Sequence, residues 1–149
     1  MIRPHRRRRP NPDRGQALVE FSLAVVPFLL ILMAIVDLSR GVYQMNGTAE
    51  AAREIARVTS LHPDGAYLGA STQAQGVIGT QRALVPALAL DVVNDITCVD
   101  VTDTPKADGR CTFGDYVRVR VASPFTPATP IVMLFGSHTF VSVARAQIP

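Results

Sequence analysis

The chain has few of the residues from which metal and redox sites are built. Its 149 residues include two cysteines, Cys98 and Cys111, and three histidines scattered through separate segments, His5, His62 and His138. Two isolated cysteines without a nearby histidine cannot complete a zinc site. The sequence therefore predicts no metal site and no cofactor.

Catalytic motifs are also lacking. The sequence contains no G-x-S-x-G nucleophile elbow, no H-E-x-x-H zinc motif and no phosphate-binding P-loop. Several aspartates lack the one-three-five spacing and terminal glutamate of a calcium loop, and we interpret them as solvated turn residues: Asp91, Asp95, Asp100, Asp103 and Asp108. We expect that the protein is not an enzyme.

A long stretch near the N-terminus has no charge. Phe21–Val36 holds sixteen residues without an acidic or basic side chain, and the apolar run extends back to Ala17 with Glu20 as its one interruption. Twenty helical residues span roughly 30 Å, about the thickness of the hydrocarbon layer. A buried core helix is the alternative, but a chain this short has little protein to surround such a helix. We predict a transmembrane helix over residues 16–38, in which Pro27 is tolerated.

The segment before this helix is poor in acidic residues. Residues 1–15 contain six arginines and one aspartate, whereas residues 16–149 hold nine Lys and Arg against eleven Asp and Glu. Arginines before a first apolar segment hold that end in the cytoplasm, so residues 1–15 are a basic cytoplasmic leader and residues 39–149 are exterior. Because the basic excess belongs to the leader, we expect membrane lipid and no nucleic acid as a partner.

A cleavage site for a conventional secretory signal is missing as well. No A-x-A site follows the apolar run, where the sequence instead reads Asp37–Gly41 (DLSRG), so a secretory signal is disfavoured. Asp37 and Arg40 stand one helical turn apart and suit an interfacial ion pair. We favour the simpler interpretation that both are ordinary solvated residues at the helix exit.

The residues around the leader resemble a known family. The pattern is similar to the processing site of type IV prepilins: a glycine after basic residues, a glutamate five positions later and then an apolar helix. More specifically, the sequence resembles the TadE-like family, the pilin-like minor proteins of tight-adherence (Flp) pilus systems. The residues that carry this resemblance are Arg14–Phe21 (RGQALVEF), Pro27 and Ala51–Arg57 (AAREIAR). A looser resemblance continues near the C-terminus, in Val117, Val119, Val121, Pro124–Pro127 and Leu134–Gly136.

The resemblance implies a cut by a prepilin peptidase between Gly15 and Gln16, with Glu20 and Phe21 in the processing site. Glycine before the cut permits close approach of the peptidase to the backbone. In pilins the glutamate is thought to pair with the N-terminal amine of a neighbouring subunit, which implies an assembly role for Glu20. The alternative is a solvated, idle Glu20 in the headgroup zone. The implied partners are the peptidase and other pilin-like subunits.

Beyond the predicted membrane segment, the pattern indicates an α+β domain. A narrow apolar seam continues the helix to the turn at His62–Gly65, with Asn46–Gly47 as a candidate hinge; its members are Val42, Met45, Ala49, Ala52 and Ala56. We predict a short helix within residues 71–90 and antiparallel strands around residues 96–101, 117–121 and 139–144. The predicted fold class is α+β and pilin-like: a long N-terminal transmembrane helix continuing into a small exterior domain with an antiparallel sheet.

Both cysteines fall in the predicted exterior domain. Two thiols in an oxidising compartment favour one disulfide, Cys98–Cys111. Closing a loop of this length stabilises the folded state by about 3 kcal/mol in the chain-entropy model.

Two functions from different classes remain. The first is a minor pilin-like subunit that acts in assembly of a Flp, or tight-adherence, type IV pilus after processing by a prepilin peptidase. It would reside in the bacterial cytoplasmic membrane as a single-pass protein with its N-terminus inside, and its domain in the periplasm or in a surface pilus. The alternative is an uncleaved, single-pass anchored envelope protein that binds a partner through its exterior domain.

Overall fold

The computed structural model describes residues 12–63, 67–106, 109–129 and 136–149, with side chains from residue 15 onward. The elements are α1 (Pro12–Leu61), α2 (Thr72–Leu84), β1 (Ile96–Val99), β2 (Tyr116–Phe125) and β3 (His138–Gln147). A long apolar N-terminal helix is thus followed by a small domain with a three-stranded antiparallel sheet, which confirms the α+β class. Most of the leader and the residues His5, Asp64, Gly65, Asp108, Leu134 and Phe135 lie outside the described residues.

Helix α1 runs for 50 residues with Pro27 inside it. It is the one helix in the described part of the chain that is long and apolar enough to cross a membrane, and none of its apolar window is buried against the rest of the protein. That exposure argues against a buried core helix. Helix α1 continues without a break through Asn46–Gly47, the candidate hinge. A Cβ at Gly47 would lie 3.2 Å from Cγ2 of Val85, so this glycine allows close packing.

The last third of α1 packs against the domain. Its buried residues share one face, and they include Thr48, Ala51, Ala52, Ile55, Ala56 and Thr59. The predicted seam is therefore correct at Ala52 and Ala56. Val42 and Met45 of the seam are 51% and 56% exposed, because the sheet contacts the neighbouring face of the helix.

Helix α2 corresponds to the predicted short helix. The Ser71 side chain caps its N-terminus by accepting a hydrogen bond from the backbone N–H of Ala74, 3.2 Å away. Ala74 and Ile78 are buried, and the helix ends before Pro86. Proline cannot donate the backbone hydrogen bond that a further helical turn would need.

The sheet has the order β1-β2-β3 with antiparallel neighbours. In the central strand, Val117, Val119 and Val121 are fully buried and face a core that includes Ile55 of α1 and Ile78 of α2. The strands β2 and β3 each have ten residues and are longer than predicted. Strand β1 pairs only with residues 116–119, so Pro124 has no ladder partner on one side and its missing N–H is tolerated.

Candidate functional site

The predicted processing site lies on the first turns of α1. Residues 15–21 are all exposed, and a Cβ at Gly15 would meet no atom within 4 Å. Packing within the described chain therefore does not require a glycine there. Gln16 and Glu20 are four residues apart on one face of the helix. A new amine at Gln16 would thus lie about 6 Å along the axis from the carboxylate-bearing residue.

The Glu20 carboxylate is exposed and has no hydrogen-bond or ion-pair partner among the residues that the structure describes. Two hydroxyl groups elsewhere on this part of α1 are satisfied within the helix. Ser22 donates to the carbonyl of Leu18 at 2.7 Å, and Ser39 donates to that of Ile35 at 2.9 Å. Glu20 is therefore the side chain in this apolar stretch whose charge lacks compensation from the described part of the chain.

A second polar feature joins α1 to the sheet, and we call it the helix–sheet junction: Asp37, Gln44, Ser123 and Thr129. Asp37 is 3% exposed. Its carboxylate accepts hydrogen bonds from the backbone N–H of Ala128 at 3.0 Å, and from the N–H and hydroxyl of Thr129 at 2.7 and 2.5 Å. Arg40 adds an ion pair at 3.2 Å. The interpretation of Asp37 as an ordinary solvated residue is wrong, because the loop after β2 folds back and buries it.

Gln44 forms the other half of the helix–sheet junction. Its amide donates to the Ser123 hydroxyl and, at 2.8 Å, to the carbonyl of Pro124. Ser123 in turn donates to the carbonyl of Pro86 at 2.8 Å. One buried network therefore connects α1, β2 and the segment after α2, and it holds the helix in a fixed position on the sheet.

An apolar groove opens beside this junction, and we call it the junction groove. Its volume is about 380 Å³. Its walls come from α1 and from the adjoining ends of β2 and β3: Ala34, Asp37, Leu38, Gly41, Val42, Met45, Phe125, His138 and Phe140. The rings of Phe125 and Phe140 lie 5.8 Å apart, and the guanidinium of Arg40 lies 6.0 Å from the centroid of Phe125.

The connection between β1 and β2 contains the disulfide and a partly buried ion pair, Lys106–Asp115. Cys98 and Cys111 are joined by a disulfide, in agreement with the sequence-based expectation. The ammonium of Lys106 donates to the Asp115 carboxylate at 2.6 Å, and the Thr112 backbone and hydroxyl donate at 2.6 and 2.7 Å. These hydrogen bonds, that from Lys106 foremost, lower the pKa of Asp115 to about 2.

Other aspartates in the described part of the domain contribute to turns or ion pairs. Hydrogen bonds from Asn94 lower the pKa of Asp91, and those from Thr102 lower the pKa of Asp100. Asp103 pairs instead with two sheet arginines, Arg118 and Arg145. Within the described residues, no group of three or more His, Cys, Asp or Glu side chains is arranged to hold a metal ion.

The family described as TadE-like protein matches residues 15–57. This segment begins at the glycine of the predicted cut and lies entirely within α1. The resemblance noted in the sequence is thus confirmed over these residues. No curated protein and no solved structure matched the chain.

The sequence did not identify the helix–sheet junction. Five residues of α1 recur at spacings of three, four and seven, which places them on one helix face. They are Asp37, Gly41, Gln44, Thr48 and Ile55. This face is polar and small in its first half, whereas the neighbouring stripe through Val42 and Met45 is apolar and has the clearer helical periodicity. In that first half Asp37 is the one charged residue and no large apolar side chain is present, so hydrophobic periodicity gives no sign of the contact with the sheet.

Proposed function

We propose that this protein is a minor pilin-like subunit that acts in the assembly of a Flp, or tight-adherence, pilus. The match of residues 15–57 to the TadE-like family carries the proposal. The exposed glycine at the start of that match supports it, as does Glu20, which has no charge partner among the residues that the structure describes.

The proposed maturation is a single cut. A prepilin peptidase would remove residues 1–15 on the cytoplasmic side and create an amine at Gln16. That amine would pair with Glu20 of its own or a neighbouring chain, and the pairing would lower the cost of holding a carboxylate in lipid. The remaining chain would be a single-pass protein of the bacterial cytoplasmic membrane with residues 39–149 outside.

The proposed role is structural and not enzymatic. The exposed apolar half of α1 would contact lipid or the helices of other pilin-like subunits. The helix–sheet junction supports this role, because it transmits the position of the helix directly to the exterior domain.

The N-terminus of the membrane-extracted protein tests the processing step. Mass spectrometry should find a chain that begins at Gln16. The variant Gly15→Val should retain Met1, because a branched side chain obstructs close backbone approach. Gln16→Ala is the matched control and should still be cut. A wild-type chain intact from Met1 would favour an uncleaved anchored envelope protein that binds a partner through its domain.

Piliation assays test the role of Glu20. Glu20→Ala should insert into the membrane normally and yet assemble few pili, since a loss of about 1.4 kcal/mol in subunit pairing lowers the association constant about tenfold. Glu50→Ala is the matched control on the same helix, because Glu50 is exposed and its pairing with Arg53, at 3.8 Å, is weak. Normal piliation by Glu20→Ala would refute the assembly role.

A further inference from the structure

The bond that the proposed peptidase would cut lies inside a helix. Helix α1 begins at Pro12, so the bond between Gly15 and Gln16 falls at the end of its first turn. In an α-helix each N–H donates to the carbonyl four residues back. The N–H of Gln16 therefore donates to the carbonyl of Pro12, and the carbonyl of Gly15 accepts from the N–H of Val19. Both groups of the scissile peptide bond are engaged in hydrogen bonds of the helix.

Hydrolysis acts on these same two groups. Water adds its oxygen to the carbonyl carbon of Gly15, the C–N bond breaks, and both water protons pass to the nitrogen. The products are the carboxylate of Gly15 and the ammonium group of Gln16. The peptidase has to stabilise the charge that develops on the carbonyl oxygen and to protonate the nitrogen. Because both groups are already hydrogen-bonded within α1, the helix competes with the peptidase for them.

The three glycines of α1 differ in their surroundings. A Cβ at Gly41 would lie 3.7 Å from the ring of Phe125, and a Cβ at Gly47 would lie 3.2 Å from Val85. A Cβ at Gly15 would meet no atom within 4 Å. Close packing therefore accounts for the first two glycines but not for Gly15. What Gly15 contributes is a weaker helix, because glycine is the least favourable residue of a helix interior apart from proline.

The turn that holds the scissile bond has no tertiary support from the described part of the chain. Residues 15–21 are all exposed, whereas the domain buries one face of α1 around Ile55. Opening this turn therefore disrupts only the hydrogen bonds of the helix itself, and the ends of helices open at a low cost in free energy.

We propose that the peptidase cuts α1 after its first turn has unwound, and that Gly15 promotes the cut by weakening the helix at that turn. This inference rests on the proposed processing between Gly15 and Gln16. Gly15 then acts as a positioning residue, through the backbone conformation that it makes accessible. Another substitution that weakens the same turn should have the same effect on the rate of cleavage.

Two identical substitutions at different distances from the bond test this proposal. Ala17→Gly weakens the turn that contains the scissile bond, and Ala24→Gly makes the same change about 10 Å further along α1. Both alanines are exposed, so neither substitution removes packing against the domain. Membranes that contain the full-length precursor, far below saturation, are incubated with the prepilin peptidase. Mass spectrometry then measures the initial rate at which chains beginning at Gln16 appear.

We expect Ala17→Gly to be cut about fivefold faster than the wild type, the factor that the helix propensities of alanine and glycine imply. Ala24→Gly should be cut at the wild-type rate. Gly15→Ala should be cut about fivefold more slowly, and combining it with Ala17→Gly should restore the wild-type rate. Without peptidase, hydrogen exchange at the Gln16 amide should be faster in Ala17→Gly and slower in Gly15→Ala.

The proposal is wrong if Ala17→Gly is cut no faster than the wild type, or if Ala24→Gly is accelerated equally. A double variant as slow as Gly15→Ala would mean that Gly15 acts only through its fit in the peptidase. If Gly15→Ala is not cut at all, the comparison of Ala17→Gly with Ala24→Gly still decides. A wild-type precursor that remains intact would refute the proposed processing itself, and this inference with it.

Discussion

Asp37 shows how one residue can join the long apolar helix to the rest of the domain. It stands next to the charge-free run, yet its side chain is buried and accepts hydrogen bonds from Ala128 and Thr129. These donors are more than ninety residues away in the chain and two of the three are backbone N–H groups. Backbone N–H groups do not depend on the side chain, so no sequence pattern could identify these two as the hydrogen-bond donors to Asp37. The residue was predictable as polar but not as buried.

Substitution of Asp37 should weaken the domain. Asp37→Asn keeps the shape but replaces one acceptor oxygen with an N–H₂ group that faces the N–H groups of Ala128 and Thr129. We expect a lower midpoint of denaturant unfolding in detergent and faster hydrogen exchange at both amides. Arg40→Gln is the control and should have a smaller effect, because the Arg40 side chain is largely exposed. Equal midpoints for wild type and Asp37→Asn would show that the junction does not stabilise the domain.

Among the elements, the strands were predicted in position better than in length. The alternation of Val117, Val119 and Val121 located β2, because a half-buried strand buries every second residue. Its continuation to Phe125 depends on pairing with β3, where Pro124 lies opposite Thr139 and Phe125 opposite His138. The length of a strand depends on its pairing partner in the tertiary structure, so local alternation cannot predict where the strand ends.

The connection between β1 and β2 should make the domain sensitive to acid. The folded pKa of Asp115, about 2, lies below the ordinary value of 3.8, so the carboxylate favours folding when it is ionised. This contribution is complete above about pH 4 and is lost as the pH falls toward 2. The unfolding midpoint should therefore decrease over this window.

The variant Asp115→Asn isolates that contribution. It should be less stable than the wild type at pH 6, and its midpoint should change less between pH 4 and pH 2. Asp95→Asn, which leaves Lys106 and Thr112 untouched, serves as the control. If the Asp115→Asn and wild-type curves remain parallel through this window, the hydrogen bonds to Asp115 do not account for the acid response.

In the whole molecule, α1 passes through two environments without interruption. Its first part is exposed and apolar, and its last part is buried against α2 and the sheet. Because α1 is continuous through Gly47, the part that packs on the domain and the predicted membrane span belong to one helix.

The two parts of α1 should respond differently to truncation. Ile55 is fully buried in the core cluster, so Ile55→Ala should lower the free energy of domain unfolding by about 2–5 kcal/mol. Leu29 is 50% exposed on the predicted span, and Leu29→Ala should leave domain unfolding within about 0.5 kcal/mol of the wild type. Circular dichroism of detergent-solubilised protein during denaturation would compare them. Comparable losses in both variants would mean that the first part of α1 packs against the domain.

By itself, the sequence determined the features that depend on local composition. These are the length of the apolar run, the position of Gly15 relative to Glu20, the alternation in β2 and the α+β class. Hydrophobic length and periodicity are read along the chain, so they need no knowledge of the fold. The tertiary structure decided which face of α1 meets the sheet, the burial of Asp37 and the existence of the junction groove. Each of these features forms where segments far apart in the sequence meet. Packing and backbone hydrogen bonds bring those segments together, and these interactions leave no local pattern in the sequence.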